Sequence, residues 1–336
     1  MRSFSRAVIL FADEVGPFLV PEHTLERLHA ATDQLDDVLC EFALESHIND
    51  ASRHVDLVVR VNPENRDTLL SGTSRLSENV LNFMKAWARP SGSLSDIPFI
   101  ELEYDLNGPC TDPWIGPAVE PHVAKGPLAI FRAKKAEREI GGTRDRFQIA
   151  KSVLGRLPIA PPSRTLVDRL RRCYEELPTT GSINHFTAAA ARPSSRSKDT
   201  LRLIVALPKA TLHTYLDAIG WLGDKRRVDE ALHWFKPYAD HVSFDLNIAA
   251  DDAGDNIAFY TQFRCLRIQD DGLLSFIEAL VRRNAVADSC RSALQDWIRK
   301  VSGRMGRGLT FKLSIKNDAP SVVKLYLSMY PPKRNQ

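Results

Sequence analysis

Six side chains combine types and spacings that could bind a ligand: Tyr260, Arg264, Lys312, Lys324, Tyr326 and Tyr330. Each sits on the polar phase of an alternating stretch. Ile257, Phe259 and Phe263 are apolar around Tyr260, and Leu309, Phe311, Leu313 and Ile315 are apolar around Lys312. Val323, Leu325, Leu327 and Met329 are apolar around Lys324 and Tyr326. In a strand, alternate residues share one face, so rings and cations would be displayed together. Such a face suits an extended peptide: rings cover its apolar groups and cations take its carboxylates. An edge strand could add main-chain pairing. These six are the candidate peptide-binding residues. The same pattern also describes a plain solvated sheet face, because Tyr favours strands and Lys keeps edges soluble.

The chain carries no G-x-S-x-G elbow, Walker loop or H-E-x-x-H pair. Gly303-Arg304-Met305-Gly306-Arg307-Gly308 comes nearest to a phosphate loop. It follows a helical pattern and precedes a strand, so no helix N-terminus would meet the anion, and a helix-to-strand turn is the expectation. Glu120 and His122 could share a proton or a metal, but two residues make no site, and a surface pair is expected. His213, His233 and His241 flank the central helices without a nucleophile at a spacing that fixes one nearby. No catalytic residue, metal or cofactor is therefore expected. The alternative is an aromatic prenyltransferase, in which helix–strand units close a ten-stranded barrel. Arg202, Arg264, Lys312 and Lys324 would then cradle a diphosphate.

The elements that must position these residues are legible as patterns. Leu201 to Leu207 is an apolar strand stopped by Pro208, followed by a helical segment ending near Gly220 and a helix through Val228, Ala231, Leu232 and Phe235. His241 to Ile248 alternates strictly and pairs with Ile257 to Phe263 as a hairpin. Helices are expected at 273–284 and 286–301, and a last hairpin turns at Asn317-Asp318-Ala319-Pro320. Upstream, Ala7 to Ala12 reads as a strand, Pro21 to Ser46 as one long helix, Val55 to Val61 as a strand, Arg75 to Ala88 as a helix and Phe99 to Asp105 as a strand. Residues 107–127 read as a Pro/Gly loop holding Trp114, 128–131 as one more strand, and 132–146 as a solvated charged segment. Helices follow at 147–157 and 163–177, and a strand at 182–191. The prolines at 158, 161 and 162 divide an N-terminal half, 1–157, from a C-terminal half, 163–332. The fold class expected is α+β, two related halves, each an antiparallel sheet with helices on one face.

Composition is ordinary for a globular protein: 336 residues, 43% hydrophobic and 26% charged. A net charge of +3 is too small for a dedicated nucleic-acid binder. Five scattered cysteines without a C-x-x-C pair argue against a disulfide framework or structural zinc. No run approaches a membrane span or a signal sequence, so a reducing, cytoplasmic setting is expected.

Several segments together resemble a bacterial family. They are Ile97 to Asp105, Leu201 to Pro208, Tyr215 to Trp221, and Phe311-Lys312-Leu313 with Val323 to Leu327. The family includes the precursor-peptide-binding proteins of crocagin biosynthesis, a ribosomal peptide pathway. The resemblance implies a non-catalytic partner that holds a precursor peptide while modifying enzymes of the same pathway act on it, with a homodimer possible. It carries no catalytic motif onto this chain.

Overall fold

The computed structural model describes residues 4–35, 38, 40–48, 54–72, 76–89, 94, 99–106, 114–117, 143–155, 162–188, 200–235, 241–249, 256–264, 271–304, 306–316 and 319–330. Among the described residues the rhythm of helix and strand is stricter than two halves: two helices then two strands, five times over. The first unit is α1 (Phe4–Val15), α2 (Leu25–Thr32), β1 (Glu41–His47) and β2 (Val55–Val61). The second is α3 (Pro63–Ser71), α4 (Glu78–Trp87), β3 (Ile100–Tyr104) and β4 (Trp114–Pro117). The third is α5 (Thr143–Leu154), α6 (Arg164–Glu175), β5 (Ser182–Ala188) and β6 (Thr200–Pro208). The fourth is α7 (Leu212–Ala218), α8 (Lys225–Phe235), β7 (His241–Ala249) and β8 (Ile257–Arg264). The fifth is α9 (Asp271–Arg282), α10 (Asp288–Val301), β9 (Arg307–Lys316) and β10 (Ala319–Met329).

All ten strands form one antiparallel sheet in the order β4-β3-β2-β1-β10-β9-β8-β7-β6-β5. Consecutive strands are neighbours except β4 and β5, which stand at the two ends of the order, and β1 pairs with β10, placing Leu44 opposite Leu327 and Glu45 opposite Tyr326. The sheet curls until β4 and β5, at the two ends of that order, lie against each other. The expected two sheets are thus one. Each half leaves an edge strand rich in unpaired donors and acceptors, and the two edges satisfy each other at the β1–β10 seam.

Along the strands whose side chains are described, one face is apolar and packs outward under the helices. Phe4 and Phe11 of α1 set their rings edge-on to Phe42 of β1. Phe276 of α9 meets Phe311 of β9 with centroids 4.9 Å apart. Tyr215 of α7 meets Phe244 of β7. Each such side chain contributes about 1.5–3 kcal/mol by leaving water. The other, polar face points into the curled sheet.

Two N-terminal expectations are corrected. Residues 7–12 belong to helix α1, because Phe4, Val8, Phe11, Ala12 and Val15 are buried at helical spacing. The single helix from Pro21 to Ser46 is instead α2, a short 3₁₀ turn at Asp33–Leu35, and strand β1. Asn62 does end β2, but its side chain accepts from the Asn65 N–H and so caps α3, a helix the sequence reading lacked. Trp114 lies in β4 rather than in a loop. The expected strand at 128–131, and Glu120 and His122, fall outside the described residues. The glycine-rich stretch is the expected turn between α10 and β9, with φ +76° at Gly303 and +81° at Gly306. Its Arg304 and Arg307 pair with Glu14 of α1. Cys40, Cys173 and Cys290 are buried free thiols, and burial pushes Cys40 and Cys173 up to about 12. Among the described residues, no helix is long and apolar enough to cross a membrane.

Candidate functional site

The inward face of the sheet carries two carboxylates built alike. On β7, Asp245 accepts from Lys312 Nζ of β9 at 2.5 Å and from Tyr260 Oη of β8 at 2.8 Å. On β1, Glu45 accepts from Lys324 of β10 and from Tyr326 of the same strand. Lysine and tyrosine flank a buried acid at both stations. Lys312 is 5% exposed, Asp245 7% and Glu45 8%, values that exclude a solvated face. Strand alternation explains the arrangement: residues 324 and 326 of β10, 312 of β9 and 260 of β8 share the inward phase.

Burial alone would push both acids up, but the cations outweigh it. Lys312 and Arg202 hold Asp245 below the usual carboxylate range, and Lys324 holds Glu45 well below it. Burial pushes Lys312 down, and it pushes Tyr260 and Tyr326 well up, each helped by its neighbouring carboxylate. The rings of Tyr260 and Tyr326 stand 6.3 Å apart, and Lys312 Nζ lies 5.3 Å from the Tyr260 centroid.

Arg202 of β6 reaches across the interior. Its guanidinium lies 3.8 Å from Glu103 of β3 and 4.0 Å from Asp245. Six strands separate β3 from β6 in the sheet order, so this contact requires the curl. Toward one end, Arg60 bridges Glu41 at 2.9 Å and Glu101 at 2.7 Å and stacks over Phe99. Toward the other, His47, His54, Asp56 and Asp105 cluster beside Glu45. Burial, and next to it the Glu45 charge, pushes Asp56 up to about 8. The inward groups named here comprise seven carboxylates (Glu41, Glu45, Asp56, Glu101, Glu103, Asp105 and Asp245) and four cations (Arg60, Arg202, Lys312 and Lys324). Every one of those cations has a carboxylate partner.

The structure therefore brings together four of the six residues singled out by sequence: Tyr260, Lys312, Lys324 and Tyr326. Tyr330 stands just past β10, where its hydroxyl accepts from Gln262 Nε2 at 3.0 Å. Arg264 sits in β8 opposite Gly308, and its side chain falls outside the described set. The acids were missed. Asp245 was visible on a polar strand phase, but only the fold reveals its lysine. Glu45 was hidden by the long-helix reading of its segment.

No protein-family model and no curated protein matches this chain. Solved structures do. A 5-dimethylallyltryptophan synthase from Streptomyces coelicolor superposes with TM-score 0.54 at 12% identity, covering 97% of each chain. The prenyltransferase PriB, in its apo form, gives TM-score 0.56 at 12% identity over 98% of this chain and 96% of its own. The chain shares their fold. The synthase has also been solved with DMASPP and Trp, and that complex superposes with TM-score 0.54 at 13% identity.

This overturns the expected non-catalytic, precursor-peptide-binding accessory of a ribosomal peptide pathway. The full-length neighbours are prenyltransferases, and the pleated face expected to be an open ledge for a strand is the buried interior of the curled sheet. The physical cause of the error is the sheet's continuity: alternation reports which residues share a face, but not whether that face is closed over.

Proposed function

We propose that this chain is a barrel enzyme of the aromatic prenyltransferase type, acting on an electron-rich aromatic acceptor held inside the sheet. The observation that carries the reading is a ten-stranded antiparallel sheet, shared over nearly the whole chain with such enzymes, whose interior is lined by titratable and aromatic side chains. In the reaction, the allylic carbon–oxygen bond of a prenyl diphosphate breaks, a bond forms from the allylic carbon to the acceptor, and the acceptor gives up a proton. Tyr260 and Tyr326 are spaced to cover a developing allyl cation with their ring faces and keep water from it. Glu45, held ionised, can accept a hydrogen bond from the acceptor's N–H or O–H and stabilise the positive charge that builds on its ring.

The donor's diphosphate is the demanding part. Lys312, Lys324 and Arg202 are the cations available to it, and it must compete for them with Asp245, Glu45 and Glu103. Donor binding is accordingly expected to be weaker than acceptor binding and to fall with added salt. The test is incubation with dimethylallyl diphosphate and a panel of indoles and phenols, read by mass spectrometry for the gain of one isoprene unit. Turnover that is lost in Glu45→Gln supports the reading. No product from any acceptor, together with no thermal shift on adding diphosphate, overturns it.

A further inference from the structure

At one end of the interior the β1–β2 hairpin brings two imidazoles and a carboxylate to one point. His47 and His54 are cross-strand neighbours: the His47 N–H donates to the His54 carbonyl at 2.9 Å, and the rings stack with centroids 4.5 Å apart. Asp56 lies two residues beyond His54 on the same face. His47 Nε2 is 3.8 Å from an Asp56 oxygen and 3.4 Å from Glu45 Oε1, while His54 Nε2 is 3.6 Å from the other Asp56 oxygen. One ligand atom from each of His47, His54 and Asp56 can be chosen so that all lie within 4.8 Å of one another.

Two features distinguish this from a hydrogen-bonded cluster. The first is spacing. Direct hydrogen bonds would bring these atoms to about 2.7–3.2 Å. Ligands held at about 2.0–2.1 Å from a tetrahedral zinc ion stand roughly 3.3 Å apart, against 3.8 Å from His47 Nε2 and 3.6 Å from His54 Nε2 to the two Asp56 oxygens. The second is that His47 Nε2 is sealed from solvent and makes no hydrogen bond. A buried ring nitrogen left without a hydrogen bond costs free energy unless a partner meets it, and in the tautomer with its lone pair on Nε2 that partner is a cation. The Asp56 carboxylate is steadied by the Leu106 N–H at 3.3 Å. Asp105 Oδ1, 4.0 Å from His54 Nε2, adds further negative charge.

We propose that His47 Nε2, His54 Nε2 and the Asp56 carboxylate bind one divalent transition-metal ion of the zinc type, with a fourth position open toward Glu45. Two imidazoles select such an ion over magnesium, which prefers an all-oxygen shell. Because the ligands stand on paired strands, little reorganisation accompanies binding. The site adjoins Glu45, which the prenyl-transfer reading also uses, but its test does not read turnover.

The full chain, stripped with a chelator and exchanged into clean buffer, is titrated with zinc chloride by calorimetry and with cobalt(II) by visible absorption. The expected result is one equivalent of zinc, an intense ligand-field band for cobalt, and no heat with magnesium. His47→Ala and His54→Ala each weaken zinc binding by at least about tenfold, and Asp56→Asn does the same at nearly constant volume. His29→Ala, which alters an exposed histidine paired with Asp33, leaves it unchanged. No saturable zinc heat in the unmutated chain overturns the proposal, as does an affinity indifferent to His47 and His54. If the alanine variants do not fold, the cobalt spectrum of the unmutated chain decides, and absence of the band overturns the proposal.

Discussion

Lys312 and Lys324 stand directly opposite each other across β9 and β10, two like charges at one register position. Such a pair is destabilising by itself. It persists because each lysine turns to a different acid, Lys312 to Asp245 and Lys324 to Glu45. The row that results, acid–lysine–lysine–acid, spans five strands of the interior, with its residues on β7, β9, β10 and β1 and Tyr260 of β8 between Asp245 and Lys312.

Breaking one end of that row should be costly. The Lys312–Asp245 side chains are 7% and 10% exposed, so Lys312→Met leaves a buried carboxylate with only the more distant Arg202 guanidinium, at 4.0 Å, to offset its charge. We expect a loss of about 3–5 kcal/mol, measured by urea unfolding. Lys312→Met combined with Asp245→Leu should recover much of it, since an apolar pair replaces both charges. A double variant no more stable than the single one would contradict this account.

Acid should destabilise the protein through the same pair. Asp245 is held below its ordinary value, so its contribution is complete above the unfolded carboxylate pKa, about 3.9, and is lost as pH falls through the folded value. Lys312, pushed down by burial, acts in a separate alkaline window: between its lowered value and the unfolded value of about 10.4 the folded state has already released the proton, so stability rises with pH there. Melting temperature should therefore fall as pH drops below about 3.9, outside the range from about 4 to 8 in which Asp56, raised to about 8, works in the opposite direction, and that fall should flatten in the Lys312→Met/Asp245→Leu variant.

Tyr260→Phe keeps the ring and removes the hydroxyl that donates to Asp245 at 2.8 Å. A hydrogen bond to a charged group contributes about 1.5–3 kcal/mol, and a loss of that order is expected in unfolding experiments. Tyr326→Phe should cost a similar amount through Glu45. Under the proposed chemistry both variants retain the ring faces, so turnover should fall less than in the corresponding alanine variants.

Two glycines in one turn should respond differently to alanine. Both have positive φ, +76° at Gly303 and +81° at Gly306. A Cβ at Gly303 meets nothing within 4 Å, whereas at Gly306 it would lie 2.3 Å from the Tyr330 carbonyl oxygen. Gly303→Ala should cost about 1 kcal/mol of backbone strain. Gly306→Ala should cost clearly more, because it also breaks the 2.7 Å bond from the Tyr330 N–H to the Gly306 carbonyl. Thermal unfolding of the two variants side by side checks the order.

The strands from β6 onward were legible because alternation over seven or more residues has no helical reading; β7 and β10 are the plainest cases. Residues 41–46 were misread because Phe42 extends the apolar helical spacing of Leu28 and Leu35, and nothing local marks the change of period at Cys40. The six-residue apolar run in α1 was too short to show its helical stripe without Phe4 and Val15. The site was half legible: the phase of Tyr260, Lys312, Lys324 and Tyr326 is a local property. Their acids come from strands 67 and 279 residues away along the chain, and pairings at that separation leave no periodic trace.

The β1–β10 seam also bears on how the molecule is made. During synthesis β1 emerges early and waits, its edge unmatched, until nearly the whole polypeptide has left the ribosome. Closure at such separation is slow and leaves a sticky border exposed meanwhile, so efficient production of this protein should depend on holdase chaperones that shield nascent chains.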